Sequence, residues 1–283
     1  MKPIAQQTIL VTGATDGLGK QTALALARQG ATVLLHGRDP QRLESTRREI
    51  QQATGNTHLE SDLADFAELA QVRQFAETLR SRHPRLDMVI NNAGIGGGKR
   101  GEMKRETSKD GYELRFAVNY LAPFLLTRLL LPSLRQAAPA RIVNVGSVGQ
   151  APLDFNDVML ERHYDAMQAY SQSKLALIML TFDLADELKG EQITVNCLHP
   201  ATFMNTKMVY ESVGYTLSTV EEGLRAVLHL ATSPALDNVT GQYFDQLRQT
   251  RAHRQTYDQR ARRRLRELSE QLTGLASEKA SST

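Results

Sequence analysis

The strongest constraint on what this chain can fold into lies near its N-terminus. Thr8-Ile9-Leu10-Val11-Thr12 is a short apolar, β-branched run, and a helical periodicity starts near Leu18 and continues to Arg28, with Gly30 as its stop. Between them stands Thr12-Gly13-Ala14-Thr15-Asp16-Gly17-Leu18-Gly19. A strand that enters a helix through so many glycines bends sharply, lets its backbone approach a ligand, and packs the new helix against the strand. Such a turn leaves backbone N–H groups unpaired and aims the positive end of the helix dipole at the space beyond the strand, which is how a nucleotide pyrophosphate is held. The spacing is Gly-x-x-x-Gly-x-Gly, and Gly13, Thr15, Asp16, Gly17, Leu18 and Gly19 are read as cofactor contacts.

The alternation of strand and helix continues along the chain. Thr32 to His36 reads as a second strand, Pro40 to Ala53 as a helix, Thr57 to Glu60 as a weak third strand, and Leu86 to Ile90 as a fourth, apolar on both faces. A helix over Ser108 to Leu134 follows, then strands at Arg141 to Val145, Ile193 to Leu198 and Gly241 to Asp245. This pattern predicts an α/β protein: a single Rossmann-type domain, with a doubly wound parallel sheet of about seven strands and helices on both faces. The 283 residues, 41% of them hydrophobic, suffice for one large core. We assign 1–247 to this domain, 248–275 to a basic amphipathic helical extension packed on it, and 276–283 to a disordered tail.

Ligands of such sheets lie beyond the carboxyl ends of the strands. The second strand ends at Gly37-Arg38, near where an adenosine ribose would lie; arginine suits a 2′-phosphate, whereas an acidic residue would suit a free 2′-hydroxyl. NADP(H) is therefore favoured over NAD(H), although Asp16 stands where a second basic residue would strengthen the case, and Arg38 has the alternative of being a plain exposed loop residue. Asp62, followed by Leu63, either accepts from an adenine amino group or caps a helix starting near Ala64. The small residues of Asn92-Ala93-Gly94 let a cofactor lie flat over the strand ends, and Ile95 to Gly101 reads as a wall of the substrate cleft. Ser147, at the end of the fifth strand, is placed to hydrogen-bond a substrate oxygen. His199, before Pro200, reads as structural. Thr202 to Ser218, with Phe203, Met204, Met208, Tyr210 and Tyr215, suits a lid over an apolar ligand.

Tyr170-Ser171-Gln172-Ser173-Lys174 lies within a long amphipathic helix that continues through Leu175, Leu177, Ile178, Leu180 and Leu184. Residues four apart on a helix stand one above the other, so the Tyr170 phenol and the Lys174 ammonium share one environment. A phenol of ordinary pKa about 10 is a poor acid or base at neutral pH, and a nearby cation favours its ionised form. Tyr170 is the candidate proton donor and acceptor, with Lys174 as its tuner. Asn119, among Phe116, Val118, Leu121 and Phe124, reads on its own as satisfying a local hydrogen bond.

With Thr12 to Gly19, Asn91 to Gly94, Ser147, and Tyr170 with Lys174 in this order, the chain resembles the short-chain dehydrogenase/reductase family over nearly its whole length. Asp110-Gly111-Tyr112-Glu113, Asn119-Tyr120-Leu121, the insertion carrying Asp154-Phe155 and Asp157, Leu198-His199-Pro200 and Gly241-Gln242-Tyr243-Phe244 are similar to its retinol dehydrogenase-like branch. The resemblance implies a tetrad of Asn119, Ser147, Tyr170 and Lys174: the serine positions the substrate oxygen, the tyrosine passes the proton, the lysine holds the cofactor ribose and lowers the tyrosine's pKa, and the asparagine anchors a water that links the lysine to solvent. It further implies cofactor contacts at Tyr170, Lys174, Pro200, Phe203 and Thr206, no metal, and association as a homodimer or homotetramer through the helices holding Asn119 and Tyr170. Ala201 replaces a usual glycine, and Gly146 stands where serine is common.

The net charge of +3 is too small to imply nucleic acid. From Arg248 to Arg266 there are eight arginines against one acid, Asp258, but Leu265, Leu268, Leu272 and Leu275 mark one apolar helix stripe, so a packed helix with a solvated arginine face is expected. Arg128 and Pro132 interrupt the longest apolar run, the N-terminus has no signal-peptide pattern, and Cys197 reads as a buried, inert thiol. A soluble cytoplasmic protein without a membrane span is expected. The leading functional reading is an NADP(H)-dependent oxidoreductase acting on a small apolar alcohol or carbonyl compound. Its alternatives are a non-catalytic dinucleotide-binding sensor or scaffold whose basic C-terminal helix binds an acidic partner, and a sugar-nucleotide epimerase, for which the chain is short.

Overall fold

The computed structural model describes residues 1–98 and 104–275. Part of the expected cleft wall, residues 99–101, and the expected tail, 276–283, lie outside the described residues. Eight strands form one sheet: β1 (Thr8–Val11), β2 (Thr32–Gly37), β3 (Leu59–Leu63), β4 (Met88–Asn91), β5 (Ala140–Val145), β6 (Ile193–His199), β7 (Gln242–Asp245) and β8 (Arg248–Thr250). Their order is β3-β2-β1-β4-β5-β6-β7-β8. The first seven are parallel, and β8 runs antiparallel to β7. The chain moves outward from β1 to β3 and then returns to place β4 on the other flank of β1. A crevice therefore opens above the ends of β1 and β4.

Strand alternation divides the core between the two faces. Leu10, Leu34, Val89 and Ile142 face a layer built from helices α3 (Leu69–Arg82), α4 (Leu114–Ala137) and α5 (Ala166–Glu187). Ile9, Val11, Val33, Leu35, Met88, Ile90 and Val143 face α1 (Gly17–Arg28), α2 (Pro40–Thr54), and, after the short α6 (Lys207–Val213), α7 (Val220–Thr232).

Several boundaries depart from the sequence reading, and three of them have a clear local reason. β3 starts at Leu59 because Gly55 ends α2 in a left-handed conformation (φ 68°), and the Asn56 amide then donates to the carbonyls of Ala27 and Ala31, both at 2.9 Å. α3 starts at Leu69 rather than near Ala64: Phe66 stacks on the His36 ring at 4.1 Å, and the Asp110 carboxylate accepts from the Leu69 amide at 3.0 Å. Asp62 therefore caps no helix. α4 starts at Leu114 because Ser108 and Gly111 (φ 85°) form a turn, after which the Glu113 carboxylate accepts from the Phe116 amide at 2.7 Å.

The eighth strand lies beyond the expected seven, in the segment assigned to the C-terminal extension. The chain then enters α8 (Gln259–Thr273), capped by Asp258 and packed on α4 and α5. Leu265 and Ala261 are buried, and a fully buried leucine contributes about 2 kcal/mol. Tyr120 and Ser269 share a hydrogen bond of 2.6 Å, while Arg262 pairs with Asp186 at 2.8 Å and Arg266 with Asp183 at 3.2 Å. The α4 and α5 surface expected to mediate association is thus partly covered by this chain's own α8. Among the described residues, α4 is the one helix long and apolar enough to cross a membrane by length and composition, and most of it is buried inside the protein.

Candidate active site

At the crevice, the Thr12 hydroxyl accepts from the amides of Asn92 (2.9 Å) and Ala93 (3.0 Å), and the Asn92 side chain donates to the carbonyls of Thr12 (2.9 Å) and Gly13 (3.2 Å). The turn after β1 is thereby stitched to the turn after β4. Approach is close enough that a Cβ on Gly13 (φ 65°) would come within 2.8 Å of Ala93 Cα, and one on Gly19 within 2.1 Å of the Gly13 carbonyl oxygen. Those glycines are required by contacts within the protein itself.

His36, which sequence reasoning passed over as part of a strand, fixes the same turn. Its Nδ1 accepts from the Gly13 amide at 3.1 Å, which leaves Nε2 to donate to the Ala64 carbonyl at 3.0 Å. Burial pushes its pKa down to about 4, so the ring stays neutral and keeps this tautomer at physiological pH. Its only sequence signal is a polar ring closing an otherwise apolar strand.

Asp16 caps α1 by accepting from the Gly17 amide at 2.7 Å. The amides of Leu18 and Gly19 meet no acceptor among the described residues, and they sit at the positive end of the α1 dipole. An anion fits there. Thr206, the N-cap of α6, lies against the turn: a Cβ on Gly17 would stand 3.2 Å from its Cγ2. Phe203 adopts φ 48° and packs its ring edge-on to Tyr215 at 5.5 Å, while Pro200 lies beside Gly223 of α7. Arg38 is exposed and lines an open depression of about 500 Å³ with Asp39, Pro40, Gln41 and Asp65. Leu63 is half-exposed at the end of β3, and Asp62, one residue earlier, pairs with Arg82 of α3. Asp65, which the sequence did not single out, lines the depression instead.

The proposed tetrad converges beyond β4 and β5. Asn119 lies in a single π turn (Ala117–Leu121) inside α4, where the widened backbone re-aims the side chain. Its Oδ1 accepts from the Ile95 amide at 2.8 Å, and its Nδ2 donates to the Ile95 carbonyl and to Ser173 Oγ, both at 3.0 Å. Ser173 in turn donates to the Tyr170 carbonyl at 2.7 Å, so one buried network holds the loop after β4 to the helix carrying Tyr170. A Cβ on Gly94 would stand 3.1 Å from Asn119 Oδ1 and 3.5 Å from Lys174 Nζ. All three border one gap, which the glycine keeps open.

Ser147 Oγ accepts from the Gly149 amide at 3.0 Å, and a Cβ on Gly149 would meet both Ser147 Oγ (3.4 Å) and Tyr170 Cε1 (3.7 Å). The Ser147 carbonyl is fixed by the Tyr243 hydroxyl at 2.8 Å and by Gln150 Nε2 at 3.1 Å, two holding residues the sequence did not reveal. A serine at 146 would crowd the core, since its Cβ would come within 2.6 Å of Cys197 Sγ. Burial raises the Cys197 thiol to about 12, as expected of an inert core sulfur.

The electrostatics differ from the simple pairing read from the helix. Lys174 Nζ donates to the Val145 carbonyl at 2.9 Å and lies 5.8 Å from the Tyr170 ring centroid. Burial lowers its pKa to about 8. For Tyr170, burial raises the pKa, and the hydrogen bond shared with Ser147 works in the opposite direction.

The cleft walls also differ in part from expectation. Met208 and Ser212 of α6 close on Gly96, where a Cβ would stand 2.7 Å from Ser212 Oγ, and Met167 closes on Gly97. Met204 instead packs inward against the core and α7. His199 shares a 3.0 Å hydrogen bond with Thr202, and burial lowers its pKa. Among the described residues no cluster of metal-binding side chains occurs.

A sheet with its switch point over β1 and β4, an anion-ready turn, and a Ser-Tyr-Lys group at the strand ends define a dinucleotide-dependent dehydrogenase or reductase. The family model for short chain dehydrogenases matches residues 7–214. The chain is 36% identical to human retinol dehydrogenase 13 over 96% of its own length and 86% of that protein, and 37% identical to human retinol dehydrogenase 14 over 95% and 87%. Among solved structures, a protein from Mycobacterium paratuberculosis superposes with a TM-score of 0.78 at 30% identity, covering 97% of this chain and 96% of that one. A short chain dehydrogenase from Shigella flexneri, complexed with NADP, has a TM-score of 0.70 at 29% identity, covering 86% and 99%. The chain belongs to the short-chain dehydrogenase family, in its retinol dehydrogenase-like branch, and is an oxidoreductase acting on CH–OH groups.

Proposed function

We propose that the protein uses NADP(H) to interconvert a small apolar alcohol and its aldehyde or ketone. The observation that carries this reading is a pair of meetings at the strand ends: Asn119 and Lys174 close on Gly94, and Ser147 and Tyr170 close on Gly149, while Arg38 stands exposed just after β2. A bound nicotinamide would supply or accept the hydride. Leu18 and Gly19 would hold the pyrophosphate, Arg38 the 2′-phosphate, and Lys174 the nicotinamide ribose. Ser147 orients the substrate oxygen and Tyr170 exchanges the proton with it. Lys174, held by Val145, keeps a cation beneath the phenol. The exposed apolar side chains of Tyr210, Tyr215 and Leu217, on the same segment as Met208, which closes on Gly96, support an apolar substrate.

The reading is tested by titrating the protein calorimetrically with NADPH and NADH, then following NADPH consumption over apolar aldehydes and ketones. Tighter NADPH binding with turnover is expected. Tyr170→Phe should lower turnover by about 10²–10⁴-fold while leaving NADPH affinity within about twofold. An active Tyr170→Phe enzyme would refute the proton relay. The sensor reading finds less support, because Arg262 and Arg266 are already engaged by Asp186 and Asp183.

A further inference from the structure

On charge alone, Asp16 opposes a 2′-phosphate in this crevice. Its surroundings reverse that sign. One carboxylate oxygen accepts from the Gly17 amide and caps α1; the other accepts from the Arg42 guanidinium at 2.9 Å. Arg42 stands in the first turn of α2, its amide held at 3.0 Å by the capping Asp39 carboxylate. The side chain therefore reaches from one βα turn across to the other. The two turns are in contact: a Cβ on Gly37 would come within 2.6 Å of Thr15 Cγ2. Asp16 and Arg38 are the next residues along, one on each lip, and Arg38 lines the open depression.

We propose that Arg42 is the second arm of a 2′-phosphate clamp with Arg38, and that Asp16 is its resting counter-ion. The inference rests on the NADP(H) reading above. A cofactor carrying the 2′-phosphate draws Arg42 off Asp16; one with a free 2′-hydroxyl leaves the pair intact. The strengths decide the exchange. The Arg42 and Asp16 side chains are 51% and 59% exposed, and an exposed pair favours its bonded state by about fivefold at most. A phosphate monoester carries close to two charges at neutral pH and offers oxygens that match the planar guanidinium two at a time. Asp16 is not left stranded by the exchange, since it keeps the Gly17 N–H and the positive end of α1.

The test is calorimetric titration with NADPH, NADH, adenosine 2′,5′-bisphosphate and AMP. The proteins are wild type, Arg38→Ala, Arg42→Ala, Asp16→Asn and the Asp16→Asn/Arg42→Ala double variant. Arg42→Ala should weaken NADPH and the bisphosphate by about tenfold and leave NADH and AMP within about twofold. Asp16→Asn keeps an acceptor for the Gly17 amide but frees Arg42, so it should tighten the two phosphate-bearing ligands by about threefold to fivefold. Because Arg42 then has no ion pair to break, Arg42→Ala should cost the phosphate-bearing ligands about threefold to fivefold more in the Asp16→Asn background than in wild type. Equal weakening of NADPH and NADH by Arg42→Ala overturns the clamp, as does an Arg42→Ala loss that is no larger in the Asp16→Asn background than in wild type. If wild type binds the bisphosphate no better than AMP, the NADP(H) reading falls and the clamp with it. If wild type discriminates and only Arg38→Ala abolishes the discrimination, the clamp alone fails.

Discussion

Replacing Lys174 by methionine gives a direct measure of what burial of the active-site cation costs the fold. Lys174 is 6% exposed, its Nζ has the Val145 carbonyl at 2.9 Å, and no carboxylate faces it in an ion pair among the described residues. Burial lowers its pKa from 10.5 to about 8. At 1.36 kcal/mol per pH unit that corresponds to about 3 kcal/mol against the folded state wherever the lysine must be charged. The sign follows from proton counting. Between pH 8 and 10.5 the unfolded chain binds the lysine proton more tightly than the folded one, so stability contributed by this group rises with pH across that window. Below pH 8 both states are protonated and the cost is present in full. Lys174→Met removes the titration while filling nearly the same volume. Urea unfolding of both proteins at pH 7.5, 8.5, 9.5 and 10.5 should show the variant gaining on wild type at the acid end, with the difference shrinking by about 3 kcal/mol toward the alkaline end. Losing the Val145 hydrogen bond shifts the whole difference curve by about 1–3 kcal/mol and leaves its slope alone. A difference independent of pH would refute the claim that Lys174 is held as a buried, weakened cation.

Two further outcomes test packing around the site. Gly146→Ser places Cβ within 2.6 Å of Cys197 Sγ, so thermal or urea unfolding should show a loss of about 1–3 kcal/mol, and Cys197→Ala in the same chain should recover much of it; a neutral single variant would show that the strand ends yield more easily than they pack. Tyr120→Phe removes the 2.6 Å hydrogen bond to Ser269 and should cost about 1–2 kcal/mol, with earlier proteolysis in the region of α8; unchanged stability and protection would mean that α8 is held by its leucines alone.

Much of the candidate site was legible because its signals are local. Tyr170 and Lys174 are four apart on one helix, Ser147 ends a strand, and the glycines of the first turn follow a strand directly. The residues that hold the site were not legible for the opposite reason. Tyr243 reaches Ser147 across 96 positions of sequence, and His36 reaches Gly13 from the neighbouring strand. Asn119 shows the limit from the other side: its apolar neighbours mark it as buried, but the π turn that aims it at Ile95 and Ser173 leaves no composition signature. Helix spacing puts Lys174 Nζ 5.8 Å from the Tyr170 ring centroid, but it says nothing of the water excluded around the two groups, which sets their electrostatics.

By itself the sequence determined an alternating strand and helix pattern, the glycine-rich turn that opens it, and the order of the serine, tyrosine and lysine along the chain. These follow from periodicity and from the backbone demands of single residues, which act over one turn of chain. Only the tertiary structure decided that burial weakens Lys174 as a cation, that Ser147 and Tyr170 close together on Gly149, that Asp16 is paired with Arg42, and that α8 lies over α4 and α5. Each of those depends on desolvation or charge pairing between segments far apart in the chain, and those distances are set by folding alone.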